Sequence, residues 1–275
     1  MDLPSPLELV ELPFMRTALA ELALLAVAGG TLGAFVVLRR LAFFSHAVGT
    51  ATFPGLVAAE AAGIGAMAGG MAAGLAFTGG VGLAGQRGRG APGRDAATGL
   101  VLVAALALGV VLASDVFESG AGVDRLLFGS ILGLDGGDLA LSGVAAIAAV
   151  GAVSALGRGF TAVAFDPDGS GAIAGRRARA LDLALMGLIA LATVAALPAV
   201  GALLTTSLFV VPAATARLLA RSVPRLIALS VGIALAAGTS GLYLALWLDV
   251  PPGPAVAVLG AAAYALVAGL EAARR

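Results

Sequence analysis

From Leu183 to Ala216 the chain carries no charged side chain, and apolar runs of the same kind recur along its length between short polar joints. Such runs restrict the fold more than any local motif. Sixty per cent of the residues are apolar, 12% are charged and the mean hydropathy is +1.05. A water-soluble domain of this composition would expose far too much apolar surface, so the chain belongs in a bilayer. A helix needs about 20 apolar residues to cross a core of about 30 Å. A membrane β-barrel would instead alternate polar and apolar residues over segments of about ten. The continuous runs predict an all-α, polytopic membrane protein forming one domain over residues 1–275.

Expected spans are Thr17–Leu38, Leu41–Gly63, Ile64–Leu83, Ala96–Ala113, Leu139–Leu156, Leu181–Leu197, Val200–Leu219, Leu226–Leu248 and Ala255–Gly269, about nine in all. Eight is the alternative, with one weak span re-entrant. Residues 1–16 read as a short interfacial helix. Arg125–Leu134 is too short to cross and reads as a surface or re-entrant helix. Residues 160–179 read as the longest polar loop. With the Arg39-Arg40 joint placed in the cytoplasm and sides alternating, every arginine except Arg16 and Arg125 falls inside. Basic residues favour cytoplasmic joints, so the N-terminus is expected outside and the C-terminus in the cytoplasm. In the third span, Gly65/Gly69 and Gly70/Gly74 are spaced to let helix backbones approach closely.

Residues able to do chemistry are few. The chain has no cysteine and no lysine, and its single histidine is His46. This excludes a thiolate metal site and a multi-histidine centre within one chain. It also excludes a Walker A loop, which requires lysine. No enzymatic activity is expected, and any ATP hydrolysis must come from another protein. His46 shares a helix face with Thr50. Pro54 has no N–H to give the Thr50 carbonyl, and Pro54-Gly55 interrupts the helix. Imidazole, hydroxyl and freed carbonyl thus line one stripe within the membrane, where uncapped backbone is tolerated only against protein or a water-filled path. His46 is either an ion ligand or a neutral group bonded to a neighbouring helix. Glu60 is either a further ligand or gate, or a hydrated interfacial acid. Pro212 frees the Leu208 carbonyl beside Thr205, Thr206 and Ser207, a patch that either lines a path or joins helices.

Five stretches, in order, resemble the permease subunits of ABC importers for zinc, manganese or iron. They are GAFVVLRRLAFFSHAVGTATFPG, LLFGSILGL, FDPDGSGAIAG, PAVGALLTTSLFVVPAATARLL and DVPPGPAVAVL, and they cover nearly the whole chain. The resemblance implies a homodimer in the bacterial plasma membrane. It implies separate cytoplasmic ATPase subunits and an extracytoplasmic metal-binding protein that delivers the ion. It makes residues 160–179 the coupling segment, with Asp166 and Asp168 at its start and Arg176, Arg177 and Arg179 at its end. Its metal ligands would fall at His46 and Thr50, with Glu60 near the outer side. That family commonly carries Asp and then His four residues later, ahead of Pro-Gly, where this chain has His46 and Thr50. Two imidazoles across a dimer would suit zinc, which is therefore the expected cargo, with manganese or iron as alternatives. Transport without an ATPase and a non-transporting scaffold are the competing readings; few intramembrane charges are available for ion coupling.

Overall fold

The computed structural model describes residues 11–84, 91–116, 129–165 and 167–274. Among the described residues the regular structure is helical. The order is α1 Pro13–Leu38, α2 Ala42–Ala51, α3 Phe53–Ala61, α4 Ala66–Ala84, α5 Ala91–Val116, a 3-10 turn Ile131–Gly133, α6 Gly136–Phe165, α7 Pro167–Leu219, α8 Val223–Leu248 and α9 Pro252–Ala273. Six stretches are long and apolar enough to cross a bilayer: Pro13–Leu38, Ala42–Ala61, Gly136–Phe165, Gly175–Gly201, Val223–Leu248 and Pro252–Ala273. Ala66–Gly82, Thr98–Leu112 and Leu204–Leu219 are apolar but shorter.

Helix α7 is folded back on itself. Its 53 residues would extend about 80 Å if straight. Yet Asp182 pairs with Arg39, and Phe209 and Ala213 pack on Gly33, only six residues earlier in α1. Between these contacts, Ala195 approaches Ser142, which bonds Glu21 near the start of α1. The chain must therefore travel from the Arg39 end of α1 to its Glu21 end and return. The reversal is at Gly201, whose φ of 72° lies in the left-handed region open to glycine. Gly129 packs against the Gly201 backbone with no room for a Cβ, and the Ser130 N–H donates to the Pro198 carbonyl at 2.8 Å.

Neighbouring passes alternate in direction. Gly70 of α4 meets Leu56 while Gly82 meets Leu183. Gly99 of α5 meets Phe43 while Gly109 meets Phe53 and Pro54. In α8, Val231 lies against Gly30 and Gly238 against Leu22, and in α9 Val256 packs on Gly241. The interior is built by α1 and the two arms of α7, including Leu22, Leu32, Phe35, Leu185, Ile189 and Phe209. Helices α5, α6 and α9 form the coat. Leu100, Ile147 and Val258 expose 72%, 76% and 67% of their surface, as side chains facing lipid do.

Several sequence expectations need correction. The expected second span stands as Ala42–Ala61 but is divided at Thr52 into α2 and α3, because Pro54 has no N–H for the Thr50 carbonyl, while the bonds from Thr52 N–H to Val48 and from Leu56 N–H to Thr52 keep the two halves in line. The expected loop 160–179 is helical on both sides of Asp166, since α6 continues to Phe165 and α7 opens with Pro167. Proline suits a first helical position, and the Ala- and Arg-rich stretch that follows has high helix propensity. Of the expected interfacial helix, residues 1–10 lie outside the described residues; Leu12 is extended, and residues 13–16 already belong to α1. In the expected helix Arg125–Leu134, the described part is irregular backbone, left-handed at Gly129, and the 3-10 turn. The third-span glycines pack within the chain as expected: Gly69 on Gly55, Gly70 on Leu56, and Gly74 on Thr52 and Val194, whereas Gly65 faces open space.

Candidate functional site

Helix α1 ends at Arg39, whose N–H donates to the Phe35 carbonyl at 2.9 Å. Arg40 takes a left-handed φ of 56°, and the Leu41 N–H returns to the Val36 carbonyl at 2.8 Å. This tight corner starts α2 and places His46 in its second turn. The helix is only ten residues long and breaks after Ala51. Thr52 donates its hydroxyl to the Gly49 carbonyl at 2.6 Å, and Pro54 has no N–H for the Thr50 carbonyl. Pro54 is buried, and the break is packed against Gly74 of α4 and Gly109 of α5.

His46 faces the returning arm of α7. Its Nδ1 lies 3.2 Å from the Thr206 hydroxyl, joining residues 160 positions apart. The arm comes this close because Gly29 and Gly33 of α1 leave no Cβ in front of Phe209. Thr205, beside Thr206, is fully buried, and Ser207 donates its hydroxyl to the Leu204 carbonyl at 2.5 Å. Pro212 is buried one and a half turns further along, and its missing N–H leaves the Leu208 carbonyl without a helical donor. The polar patch noted in the sequence therefore meets the only histidine.

The His46–Thr206 pair admits two proton arrangements. With the proton on Nδ1, the ring donates to Thr206 and leaves the Nε2 lone pair free for a cation. This is the arrangement that second-shell partners impose on metal-bound histidines. With the proton on Nε2, the Thr206 hydroxyl donates to Nδ1 and the ring acts as a helix-to-helix bond.

Other expected site residues are placed differently. Thr50 is one turn from His46, is 9% exposed, and donates its hydroxyl back to the His46 carbonyl at 3.3 Å. Glu60 is exposed near the end of α3, roughly 20 Å from His46 at 1.5 Å per residue, so the two are not brought together. Gly55 lies in α3, packed on Gly69. Arg176, Arg177 and Arg179 are exposed on the outgoing arm of α7. Asp168 is in the first turn of that helix, and Asp166 lies outside the described residues. Among the described residues, no three His, Cys, Asp or Glu side chains cluster to hold a metal. Any ion at His46 must therefore draw on hydroxyls, carbonyls, water or a second chain.

Two polar pairs were not anticipated. Glu21 is fully buried between α1, α6 and α7; its Oε1 accepts from the Ser142 hydroxyl at 2.5 Å, and its Oε2 has no hydrogen-bond partner among the described residues. The sequence signal was an acid five residues into the first apolar run. Arg39 and Asp182 form an ion pair of 2.7 Å with side chains only 8% and 17% exposed. Nothing local in the sequence links those two residues.

Comparisons with known proteins agree with this architecture. The ABC 3 transport family matches residues 11–270. The manganese transport system membrane protein MntC of Listeria innocua is 30% identical over 251 residues, covering 91% of this chain and 88% of that protein. The manganese import system permease protein ScaB of Streptococcus gordonii is 28% identical over 248 residues, 90% of this chain and 88% of that protein. A probable iron transport system membrane protein of Haemophilus influenzae is 25% identical over 260 residues, 94% of each chain. Among solved structures, PsaBC from Streptococcus pneumoniae in complex with Fab superposes with a TM-score of 0.82 at 25% identity, covering 94% of this chain and 92% of that one. With its helical passes and a match along nearly its whole length, the chain belongs to the ABC 3 transport family, as a multi-pass membrane permease.

Proposed function

We propose that this permease carries a divalent transition metal into the cell across the His46–Thr206 site, driven by separate ATPase subunits. The observation that carries the reading is the 3.2 Å pairing of His46 with Thr206 beside a proline-broken helix. The pairing can leave one imidazole nitrogen free next to hydroxyls and carbonyls that lack helical partners. We prefer manganese as cargo. One nitrogen among oxygen donors suits manganese better than an all-nitrogen site would, and two of the relatives above are named for manganese. The zinc preference expected from a pair of imidazoles finds no support in those relatives.

In this reading the nine apolar passes all cross the membrane, with the Arg39 end in the cytoplasm. Two copies assemble around the path, each with its own His46 site. An extracytoplasmic binding protein delivers the metal. The exposed Arg176, Arg177 and Arg179, with Asp166 and Asp168, form the ATPase contact. Glu60, exposed at the far end of the same pass, is an entry residue rather than a ligand of the same ion.

The test is metal accumulation in vesicles holding the permease with its partner ATPase and binding protein, with manganese, iron and zinc in competition. Manganese is expected to accumulate first, and His46→Ala to reduce its uptake by about tenfold or more, as loss of a ligand does. Wild-type uptake by His46→Ala would overturn the site, and zinc outcompeting manganese would overturn the cargo.

A further inference from the structure

We propose that the joint between α7 and α8 is a docking surface for the headgroup of an anionic phospholipid, held by Arg217, Arg221 and Arg225.

The three arginines recur at every fourth residue: at the end of α7, in the joint, and in the first turn of α8. All three are exposed. The buried residues around them, Ala216, Ala220 and Leu226, pack as one group with Ala34 of α1, so the joint is a fixed corner that keeps its arginines together. Leu38 packs on the same group, and exposed Arg40 follows two residues later, bringing a fourth positive charge to this end of the bundle. No acid answers these charges. Between Asp182 and Asp249 the chain has neither Asp nor Glu. Asp182 is bonded to Arg39, and Glu271, near the end of α9, lies 3.7 Å from Arg274. Among the described residues, Arg40, Arg217, Arg221 and Arg225 form no ion pair. The first turn of α8 carries no acid either, so Arg225 adds its charge to a helix end that is already positive.

The neighbouring leucines decide what the anion belongs to. Leu218 and Leu219, between Arg217 and Arg221, each expose 37% of their surface. Apolar side chains left open at the end of an apolar arm face acyl chains. Arginines beside them lay their stems along that apolar surface and raise their guanidinium groups to the headgroups. There the nearest anion is a phosphate, which guanidinium binds through paired N–H donors. A protein partner would have to cover the leucines with apolar side chains and the arginines with acids. A phospholipid brings both chemistries in one molecule. A zwitterionic headgroup would add its own cation to this corner, so an anionic one is preferred. The bound phosphate ties the returning arm of α7, which carries Thr206, to the start of α8 and to the α1–α2 corner.

The experiment counts the lipids retained by the permease. Nanodiscs of equal parts phosphatidylglycerol and phosphatidylcholine, with identical acyl chains, are dissolved in mild detergent and the retained lipids are identified by native mass spectrometry. Variants are Arg217→Gln, Arg221→Gln, Arg225→Gln, all three together, and Arg158→Gln on α6 as an exposed arginine elsewhere. Wild type is expected to retain phosphatidylglycerol over phosphatidylcholine. Each single change should lower that preference about fivefold, the share of one basic residue at a membrane surface, and the triple variant should lose it. Arg158→Gln should stay within about twofold of wild type. Added phosphatidylglycerol should raise the unfolding temperature of wild type but not of the triple variant, and phosphatidylcholine should raise neither. An equal loss with Arg158→Gln would reduce the effect to a general attraction of basic residues and overturn the docking surface. Full retention by the triple variant would overturn it too. Displacement of the lipid by inorganic phosphate would make this a site for a free ion, and its release on binding the partner ATPase would make it a protein contact; either result overturns the proposal. The single variants decide it if the triple variant does not fold.

Discussion

Replacing Thr206 by valine separates the two proton arrangements of His46. Valine matches the shape of threonine but lacks the hydroxyl, so the change removes one bond of 3.2 Å and little else. A neutral hydrogen bond contributes a net of about 0.5–1.5 kcal/mol. Since about 1.4 kcal/mol is tenfold, the bond alone accounts for a factor of about 2 to 10. His46 is half-buried, so water can partly replace the hydroxyl and the lower part of that range applies. If Thr206 serves only to join helices, uptake should change by that factor or less, with the metal concentration at half-maximal rate unmoved. If Thr206 holds the ring so that Nε2 meets the metal, apparent affinity should fall by about 10 to 100 fold with the maximal rate largely retained. We expect the second outcome. The assay is initial manganese uptake across a concentration series, in vesicles with ATP on the ATPase side. Thr206→Ser should behave as wild type, and Thr206→Val should add nothing to His46→Ala because both act on one interaction. Additive effects of the two changes would refute the argument.

Two further predictions concern the frame around the site. Ser142→Ala leaves the buried Glu21 carboxyl without its donor and should cost about 1–3 kcal/mol, whereas Glu21→Leu combined with Ser142→Ala should be close to neutral; a double-mutant cycle on thermal unfolding in detergent reads the coupling, and additivity would discard it. A Cβ at Gly33 would meet the Phe209 carbonyl, which is backbone and cannot rotate away, so Gly33→Ala should cost about 1–3 kcal/mol, while Gly187→Ala, in open space, should be neutral or gain about 0.5–1 kcal/mol. Equal unfolding temperatures for those two variants would contradict the packing described for the returning arm of α7.

The parts of the fold readable from sequence are those set by neighbours in the chain. Apolar runs locate the passes, Pro54 announces the break near Thr52, and Pro198 lies close to the reversal at Gly201. The helix through residues 167–179 is hidden in the sequence because glycine and arginine suggest a loop, although alanine, arginine and an initial proline support a helix. His46 stands out in the sequence because it is the single imidazole of the chain and lies in an apolar run. Its partner was not, since the Thr206 hydroxyl comes from 160 residues away and depends on glycines in α1. Glu21 shows the opposite failure. Its position inside the first span was visible, but only the packing of α6 and α7 reveals how deeply it is enclosed.

The length of α6 has a consequence for the surrounding lipid. Gly136–Phe165 is 30 residues, about 45 Å at 1.5 Å per residue, against a hydrocarbon core of about 30 Å. Between Asp138 and Arg158 the helix carries no charge, and that stretch is about 28 Å long, close to the thickness of the core. The last two turns, from Arg158 to Phe165, are therefore surplus to the crossing and stand beyond the hydrocarbon, so that one continuous helix reaches from the lipid to the joint that leads into α7.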